Sequence, residues 1–408
     1  MPTLFIWLLG LVFAVVILTF IFDISQSKNA ILRNYPVVGH FRYLFSTLGE
    51  FFRQYFFAMD REEMPFNRAE RQWVNRASEN KSNTIAFGST KNINTPGTAI
   101  FINCPFPTLD SDAVETKTVI IGEGYSSNPY AAKSIFNISG MSFGAISKLA
   151  VLALSNGARM AGCWMNTGEG GISPYHLEGG ADLVFQIGTA KYGVRNDDGS
   201  LSDEKLANIA TRDQVKMFEL KVSQGAKPGK GGILPGIKVT KQISEIRGIP
   251  KGEDSISPNR HVEVSNASEL LDMINHVREV TQKPVGFKTV IGHIRWLEAL
   301  LEEVNKRGKD SAPDFITVDG GDGGTGAAPM ALMDSMGLPL KEALPLVVDK
   351  IMQCGLEDRI KVVASGKMIT PSDVAWAICA GADFVTSARG FMFAIGCIQS
   401  LKCNKNTC

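Results

Sequence analysis

The sequence predicts an α/β fold, a (β/α)8 TIM barrel with an N-terminal transmembrane helix, on three observations. From residue 135 onward, short apolar runs rich in β-branched side chains alternate with stretches of helical periodicity, as βα units around a parallel sheet do. Eight such runs can be counted, and glycine and polar residues gather just after them, at the end where a barrel builds its site. Ahead of these, residues 4–22 are nineteen uncharged, overwhelmingly apolar positions.

That N-terminal run is close to the ~20 residues a helix needs to cross the hydrocarbon core. A secretory signal calls for a charged start, a shorter apolar core and a small-residue cleavage site, whereas Met1-Pro2-Thr3 carries no side-chain charge. Lys28 and Arg33 follow the run, so the positive-inside rule leaves the body of the chain cytoplasmic. The alternative is a buried helix of a soluble protein. Residues 41–59 pack eight aromatics around Arg42, Glu50 and Arg53, which suits an amphipathic helix at the membrane interface or one packed on the barrel. Residues 60–115 are polar and irregular and read as a link. The expected organisation is an anchor over 1–24, a juxtamembrane region over 25–115, a barrel over 116–396 and a cysteine loop over 397–408.

The predicted strands are 135–139, 163–167, 183–187, 218–222, 285–290, 315–318, 360–364 and 384–387, with helical spacing between them over 146–160 and 268–280. An open, doubly wound sheet would also alternate. The polar clusters, however, follow the strand ends across the whole set, which favours a closed barrel. The segment 227–259 is too long and too rich in Gly and Pro for an ordinary connection, and such loops are usually functional or disordered.

Charge excludes one class of partner. With 42 Lys+Arg against 41 Asp+Glu, the chain has no electrostatic footprint for nucleic acid. Seven cysteines are an odd number for a disulfide framework, and Cys104, Cys163, Cys354 and Cys379 are scattered singly, as in a reducing compartment. The other three crowd into the last twelve residues.

Six strand ends carry small or polar loops. The first two run into Gly140-Met141-Ser142-Phe143-Gly144 and Asn166-Thr167-Gly168-Glu169-Gly170-Gly171. The fourth leads to Gln224-Gly225-Ala226-Lys227-Pro228-Gly229-Lys230, and the sixth to Asp319-Gly320-Gly321-Asp322-Gly323-Gly324-Thr325-Gly326. The seventh and eighth end at Ser365-Gly366-Lys367 and Ser387-Ala388-Arg389-Gly390, the recurrent phosphate position of barrels, so a phosphate-bearing ligand is expected.

From about residue 134 to its end, the chain resembles the FMN-binding synthase domain of glutamate synthases. The resemblance rests on ISGMSFGAIS, NTGEGG, QGAKPG, LPGIKV, GGDGGTGAAP and GCIQSLKCNKNTC, in matching order over some 270 residues. It implies an FMN-dependent oxidoreductase that aminates 2-oxoglutarate reductively, through 2-iminoglutarate, to glutamate. Met141, Ser142, Asn166, Gly323, Gly324 and Thr325 would meet the flavin or its ribityl chain, and Ser365, Gly366, Lys367, Ser387 and Ala388 its phosphate. Lys288 would sit at the flavin N1/O2 edge, where a cation stabilises the reduced ring. Gln224, Lys227 and Arg247 would bind the dicarboxylate, Arg247 through a guanidinium that matches a carboxylate bidentately. Glu169, as the carboxylate, would face the imine. Two positions depart from the family pattern: Lys230 and Ile233 stand where Glu and Gln are common.

Cys397, Cys403 and Cys408 are spaced C-x5-C-x4-C. Read alone, such a trio can hold an iron-sulfur cluster, a zinc ion or nothing, although no histidine follows Cys397 to complete a zinc site. The resemblance implies a 3Fe-4S cluster passing electrons to FMN. It also implies a separate electron donor, such as ferredoxin or an NAD(P)H-oxidising subunit. Because Met1-Pro2-Thr3 lacks a glutaminase nucleophile, free ammonia, an amine or a separate glutaminase is the expected nitrogen source, and the abrupt end at Cys408 suggests a piece of a longer protein. Two other functions remain open: N-methylglutamate synthase-like amine transfer to glutamate, and a membrane-tethered flavin and cluster module that only relays electrons.

Overall fold

The structure is a computed structural model that describes residues 2–57, 59–225, 227 and 231–405. The chain divides into two compact units, Met1–Arg68 and Ala69–Cys408.

In the first unit, the apolar run forms a helix over Pro2–Ser25. Its stretch Thr3–Ser25 is the one helix among the described residues long and apolar enough to cross a membrane, and none of the apolar window is buried. A short helix, Ala30–Asn34, begins where the Asn29 side chain accepts the Ile31 and Leu32 N–H groups, satisfying donors that a helix start leaves open. The aromatic stretch forms a helix over Val38–Phe52 and then a π-helical turn over Arg53–Phe57.

In the second unit, eight parallel strands close into a barrel: β1 Phe136–Ile138, β2 Met165–Asn166, β3 Leu183–Ile187, β4 Val215–Lys221, β5 Val285–Val290, β6 Phe315–Asp319, β7 Lys361–Ser365 and β8 Phe384–Ser387. Each pairs with its sequence neighbours, and β8 pairs with β1. The predicted β3, β5 and β8 match residue for residue. Strand β2 is two residues long rather than five, and at its start the Asn137 side chain, not a neighbouring strand, accepts the Trp164 N–H at 3.0 Å. Strand β4 starts at Val215, three residues before the predicted 218, since Lys216 interrupts the apolar run but alternates correctly with Val215 and Met217. In β7 the order moves one residue on: Ile360 N–H still closes the preceding turn on Leu356, and Lys361 is the first ladder residue.

Two elements lay outside the sequence reading. A helix over Arg68–Ser78 occupies part of the expected link and buries Val74. An antiparallel pair, Val119–Ile121 with Tyr130–Ala132, lies at the N-terminal end of the barrel. Ile121, Tyr130 and Ala132 pack there with Trp164, Val184, Met217, Phe315, Val363 and Phe384, an apolar floor inside the barrel. Nearby, Arg278 and Arg359 grip Asp314 at 3.0 and 2.9 Å, and the Arg359 guanidinium stacks over the Tyr125 ring at 4.0 Å.

Because side chains alternate across a strand, every second residue points into the barrel. Above the apolar floor the inward positions turn polar: Asn166, Gln186, Glu219, Lys288, Thr317 and Thr386. The segment 227–259 also has built structure among its described residues. Ile233–Leu234 pairs with Ser255–Ile256, and a helix over Lys241–Arg247 is capped by the Thr240 hydroxyl.

Candidate active site

The loops after β1 and β2 interlock. Gly168, at φ +66°, lies so close that a Cβ would sit 2.6 Å from the Ser142 nitrogen, so only glycine lets the two loops meet. Asn166 Oδ1 accepts the Gly168 N–H at 2.9 Å, and Met141 N–H donates to the Asn166 carbonyl at 3.3 Å. Below, His176 Nε2 stands 3.2 Å from the Met141 carbonyl while its Nδ1 accepts the Ser173 N–H at 3.1 Å. This pairing fixes the neutral tautomer with the proton on Nε2, and burial pulls the imidazole down to about 4.

Glu169 reaches the rim within this frame. Its Oε2 accepts from Gln224 Nε2 at 2.7 Å, and its Oε1 lies 3.2 Å from Lys221 Nζ. Burial works against the charged form, but Lys221, the Gln224 bond and Lys227 outweigh it and hold the carboxyl below the ordinary glutamate range. Lys227 is buried and donates to the Ala327 carbonyl at 2.6 Å, joining the loops after β4 and β6. Its own ammonium is lowered by burial and by Lys221, with Glu169 opposing.

Beneath this lies a carboxylate that the sequence reading missed. Glu219 is buried and accepts three hydrogen bonds, from Asn166 Nδ2 at 2.7 Å, Gln186 Nε2 at 2.6 Å and Thr317 Oγ1 at 2.6 Å. Lys288 stands beside it, paired with Asp319 at 3.0 Å. Burial disfavours the ammonium, but Asp319 and Glu219 raise it above the ordinary lysine range, so Lys288 is a fixed cation in the barrel centre. A space of about 270 Å³ opens among Ser139, Asn166, Glu219, Lys288, Thr317 and Thr386.

A wider cleft of about 590 Å³ lies at the mouth, lined among others by Ser142, Glu169, Lys227, Ile233, Arg247 and Thr325. Arg247, at the end of its helix, is buried; its guanidinium stacks over Tyr192 at 5.1 Å, its Nη2 reaches only the Phe143 carbonyl at 3.5 Å, and its buried Nε has no hydrogen-bond partner. Buried polar atoms are nearly always bonded, so a guanidinium this poorly satisfied beside an open cleft is set up for an acceptor that arrives with a ligand.

The phosphate corner is separate from the carboxylate cluster. Gly323 and Gly366 face each other, with a Cβ on Gly323 3.5 Å from the Gly366 Cα, and a Cβ on Gly324 would lie 3.0 Å from Arg389 Nη1. Lys367 Nζ is 3.7 Å from Asp322. Ser365 and Ser387 are buried at the ends of their strands, and Ala388 precedes the helix Arg389–Ala394. Glycine backbone and two cations thus meet at the β7 and β8 ends, as an anion would require.

The structure therefore gathers Glu169, Gln224, Lys227, Arg247, Ser142 and Thr325 at one mouth, with Asn166 and Lys288 below and the phosphate-corner residues to one side. Lys221, Glu219 and Asp319 complete it. Charged residues at alternate positions of the apolar strand VKMFELK were the available signal, since charges inside a buried strand are rare unless paired. Cys397 is half-buried and Cys403 exposed, and Cys403 lines the mouth cleft. Cys408 and Lys230 lie outside the described residues. Among the described residues no three His, Cys, Asp or Glu side chains stand together as a metal site.

Residues 75–408 match the conserved region of glutamate synthases. The glutamate synthase large subunit-like protein YerD of Bacillus subtilis (strain 168) is 42% identical over 95% of this chain and 81% of its own length. The archaeal-type glutamate synthase [NADPH] of Thermotoga sp. (strain RQ2) is 34% identical, and the archaeal glutamate synthase [NADPH] of Methanocaldococcus jannaschii 35%, each over 66% of this chain. The chain spans half the length of those two relatives. With a closed eightfold barrel, its polar mouth and a match over residues 75–408, the chain belongs to the glutamate synthase family.

Proposed function

We propose that the chain is an FMN-dependent oxidoreductase that converts 2-oxoglutarate, by way of 2-iminoglutarate, to glutamate. The observation that carries this reading is the mouth cluster: an ionised Glu169 held by Lys221 and Gln224, with Lys227 and the under-satisfied Arg247 around the same cleft. A module that only relayed electrons would have no need of cations arranged for a dicarboxylate.

The barrel fits FMN. Lys367, Arg389 and the glycine backbone of the β7 and β8 ends suit its phosphate, Asn166, Met141 and Ser142 suit the ring and ribityl chain, and the cationic Lys288 suits a ring that carries negative charge when reduced. Bound there, FMN supplies two electrons and a proton, as hydride, to the imine carbon. The chain's own groups do the rest. Arg247 binds one substrate carboxylate bidentately and Lys227 the other, trading its bond to the Ala327 carbonyl for the ligand. Glu169 holds the nitrogen, orienting ammonia during imine formation, when water leaves, and stabilising the iminium charge afterwards.

Cys397, Cys403 and Cys408 are proposed as ligands of a 3Fe-4S cluster, supported by their C-x5-C-x4-C spacing. A separate protein reduces it, and ammonia or a separate glutaminase supplies nitrogen. The domain limits follow the sequence reading, with residues 1–24 as a membrane anchor and the catalytic barrel cytoplasmic.

One observation favours a second reading. Ile233 lines the mouth cleft with an apolar side chain, which suits an alkylated nitrogen donor and N-methylglutamate synthase-like transfer to glutamate.

The test is anaerobic. The reduced protein is mixed with 2-oxoglutarate and ammonia, methylamine or glutamine, and flavin reoxidation is followed by absorbance. Reoxidation with ammonia is expected; none with any pair overturns the synthase reading, and a purified protein without flavin absorbance overturns the cofactor as well. Cys403→Ser should abolish the low-temperature EPR signal of an oxidised 3Fe-4S centre.

A further inference from the structure

We propose that the helix Val38–Phe52, with its π-helical continuation Arg53–Phe57, lies flat on a lipid bilayer, pinned by Asp23 to the end of the apolar helix Pro2–Ser25. The inference rests on reading Pro2–Ser25 as a membrane-spanning helix.

Asp23 is the one acidic residue of that helix and its side chain is fully buried, although the apolar residues around it are exposed. What buries it is the start of the helix Val38–Phe52. Asp23 Oδ2 accepts the Val37 N–H at 2.8 Å, and His40 Nε2 lies 3.0 Å from both carboxylate oxygens. Asn29 Nδ2 donates to the Tyr43 hydroxyl at 2.9 Å, and Gly39 approaches so closely that a Cβ would be 3.0 Å from Leu32 Cδ2. His40 and Tyr43 of the helix Val38–Phe52 are thus spent on the joint.

Its other face is apolar and open. Phe41, Phe45, Leu48 and Phe52 recur at i, i+4, i+7 and i+11, on one side of a helix, and are 52%, 64%, 40% and 39% exposed. Phe56 and Phe57 extend it at 68% and 70%, and the Phe52 ring packs at a tilt on Phe56, 5.7 Å between centroids. This stripe follows a helix whose apolar window is unburied throughout, and the connection between them, which includes the short helix Ala30–Asn34, carries Lys28 and Arg33. Aromatics on one face with basic residues beside them are what the headgroup boundary of a bilayer accommodates. A protein partner would have to cover both the stripe and the anchor, whereas one bilayer covers both.

The test uses the full chain in phosphatidylcholine vesicles, with an environment-sensitive fluorescent amino acid at position 12, 45 or 46 and lipids brominated at shallow or deep acyl positions. A probe in place of Val12 should be quenched by deep bromines, and one in place of Phe45 by shallow bromines, at least threefold more than one in place of Ser46. Deep quenching at 12 with equal quenching at 45 and 46 overturns the proposal and leaves the anchor standing. No quenching at 12 overturns the anchor itself. A blue-shifted but unquenched probe at 45 means that protein covers the stripe, a second copy included, and also overturns it. In Asp23→Ala the contrast between 45 and 46 should fall at least twofold, and an unchanged contrast removes Asp23 as the pin.

Discussion

Asn166 donates its Nδ2 hydrogen to Glu219 Oε1 at 2.7 Å, and that bond ties a side chain of the second strand to a carboxylate of the fourth across the barrel interior. Gln186 and Thr317 donate to the same carboxylate, so four strands converge on one acceptor. Glu219 is the residue that keeps the polar layer in register above the apolar floor.

Substituting Glu219→Gln should therefore leave a folded barrel with a loosened centre. An amide offers one acceptor oxygen, so at least one buried donor loses its partner, at roughly 1–3 kcal/mol. The expected result is a lower midpoint in thermal unfolding and flavin that dissociates about tenfold or more easily, read by fluorescence on dilution. A variant with unchanged unfolding and flavin retention would show that the layer holds without it.

Glu169→Gln keeps the shape and removes the charge between Lys221 and Lys227. Activity should fall by roughly 10²–10⁴, the usual contribution of a positioned acid or base. Since the folded carboxyl lies below its ordinary value of 4.5, the charged form persists through neutral pH. The contribution of Glu169 to stability is fully present above that value and is lost as pH falls through the lower folded value. Activity limited by this group should thus be flat from pH 6 to 8; a pH-rate profile breaking near neutrality and abolished in Glu169→Gln would contradict the assignment.

Arg247→Lys preserves the charge but gives up the planar fork and the stack on Tyr192. KM for the dicarboxylate should rise about tenfold or more with a smaller change in kcat, the pattern of lost uniform binding. A fall in kcat with KM unchanged would instead put Arg247 in the chemical step.

His176 and His261 are both buried, and burial holds each at about 4 against 6.5 unfolded. Their folded values are depressed, so the stability tied to neutral imidazole is complete above 6.5 and declines as pH falls toward 4, where the unfolded chain takes up protons the folded one refuses. Each contributes roughly 3 kcal/mol to that slope. Urea midpoints measured between pH 7 and 4 should drop steeply, and His261→Gln should flatten the profile. An equally steep profile in that variant would assign the slope to other groups.

Much of this was legible in the order of residues. The barrel could be read because a strand buried on both faces leaves an apolar run, and Leu183–Ile187 and Val285–Val290 are such runs. Strand limits were less legible, since a side chain such as Asn137 can take over a ladder bond and delay the strand's start. The loop residues Glu169, Lys227 and Arg247 stood out through their motifs. Lys221 and Glu219 did not, because their place in an apolar strand signals only that they are paired, and their partners come from the neighbours the closed sheet brings to them. The antiparallel pair at the base was invisible for the same reason: Val119–Ile121 and Tyr130–Ala132 are three residues each, and what makes them structural is the Trp164 and Phe384 they cover.

That base also gives the molecule a direction. With Ile121 and Tyr130 stoppering one end, the barrel is a blind well, and whatever occupies its centre reaches solvent at the opposite end, where Glu169, Lys227 and Arg247 stand on one side and Lys367 and Arg389 on another. A ligand seated deep near Lys288 is roofed by the next one to bind at the mouth. An upper occupant that spans the whole rim of such a well holds the deeper one in, and the deeper one then has to load first.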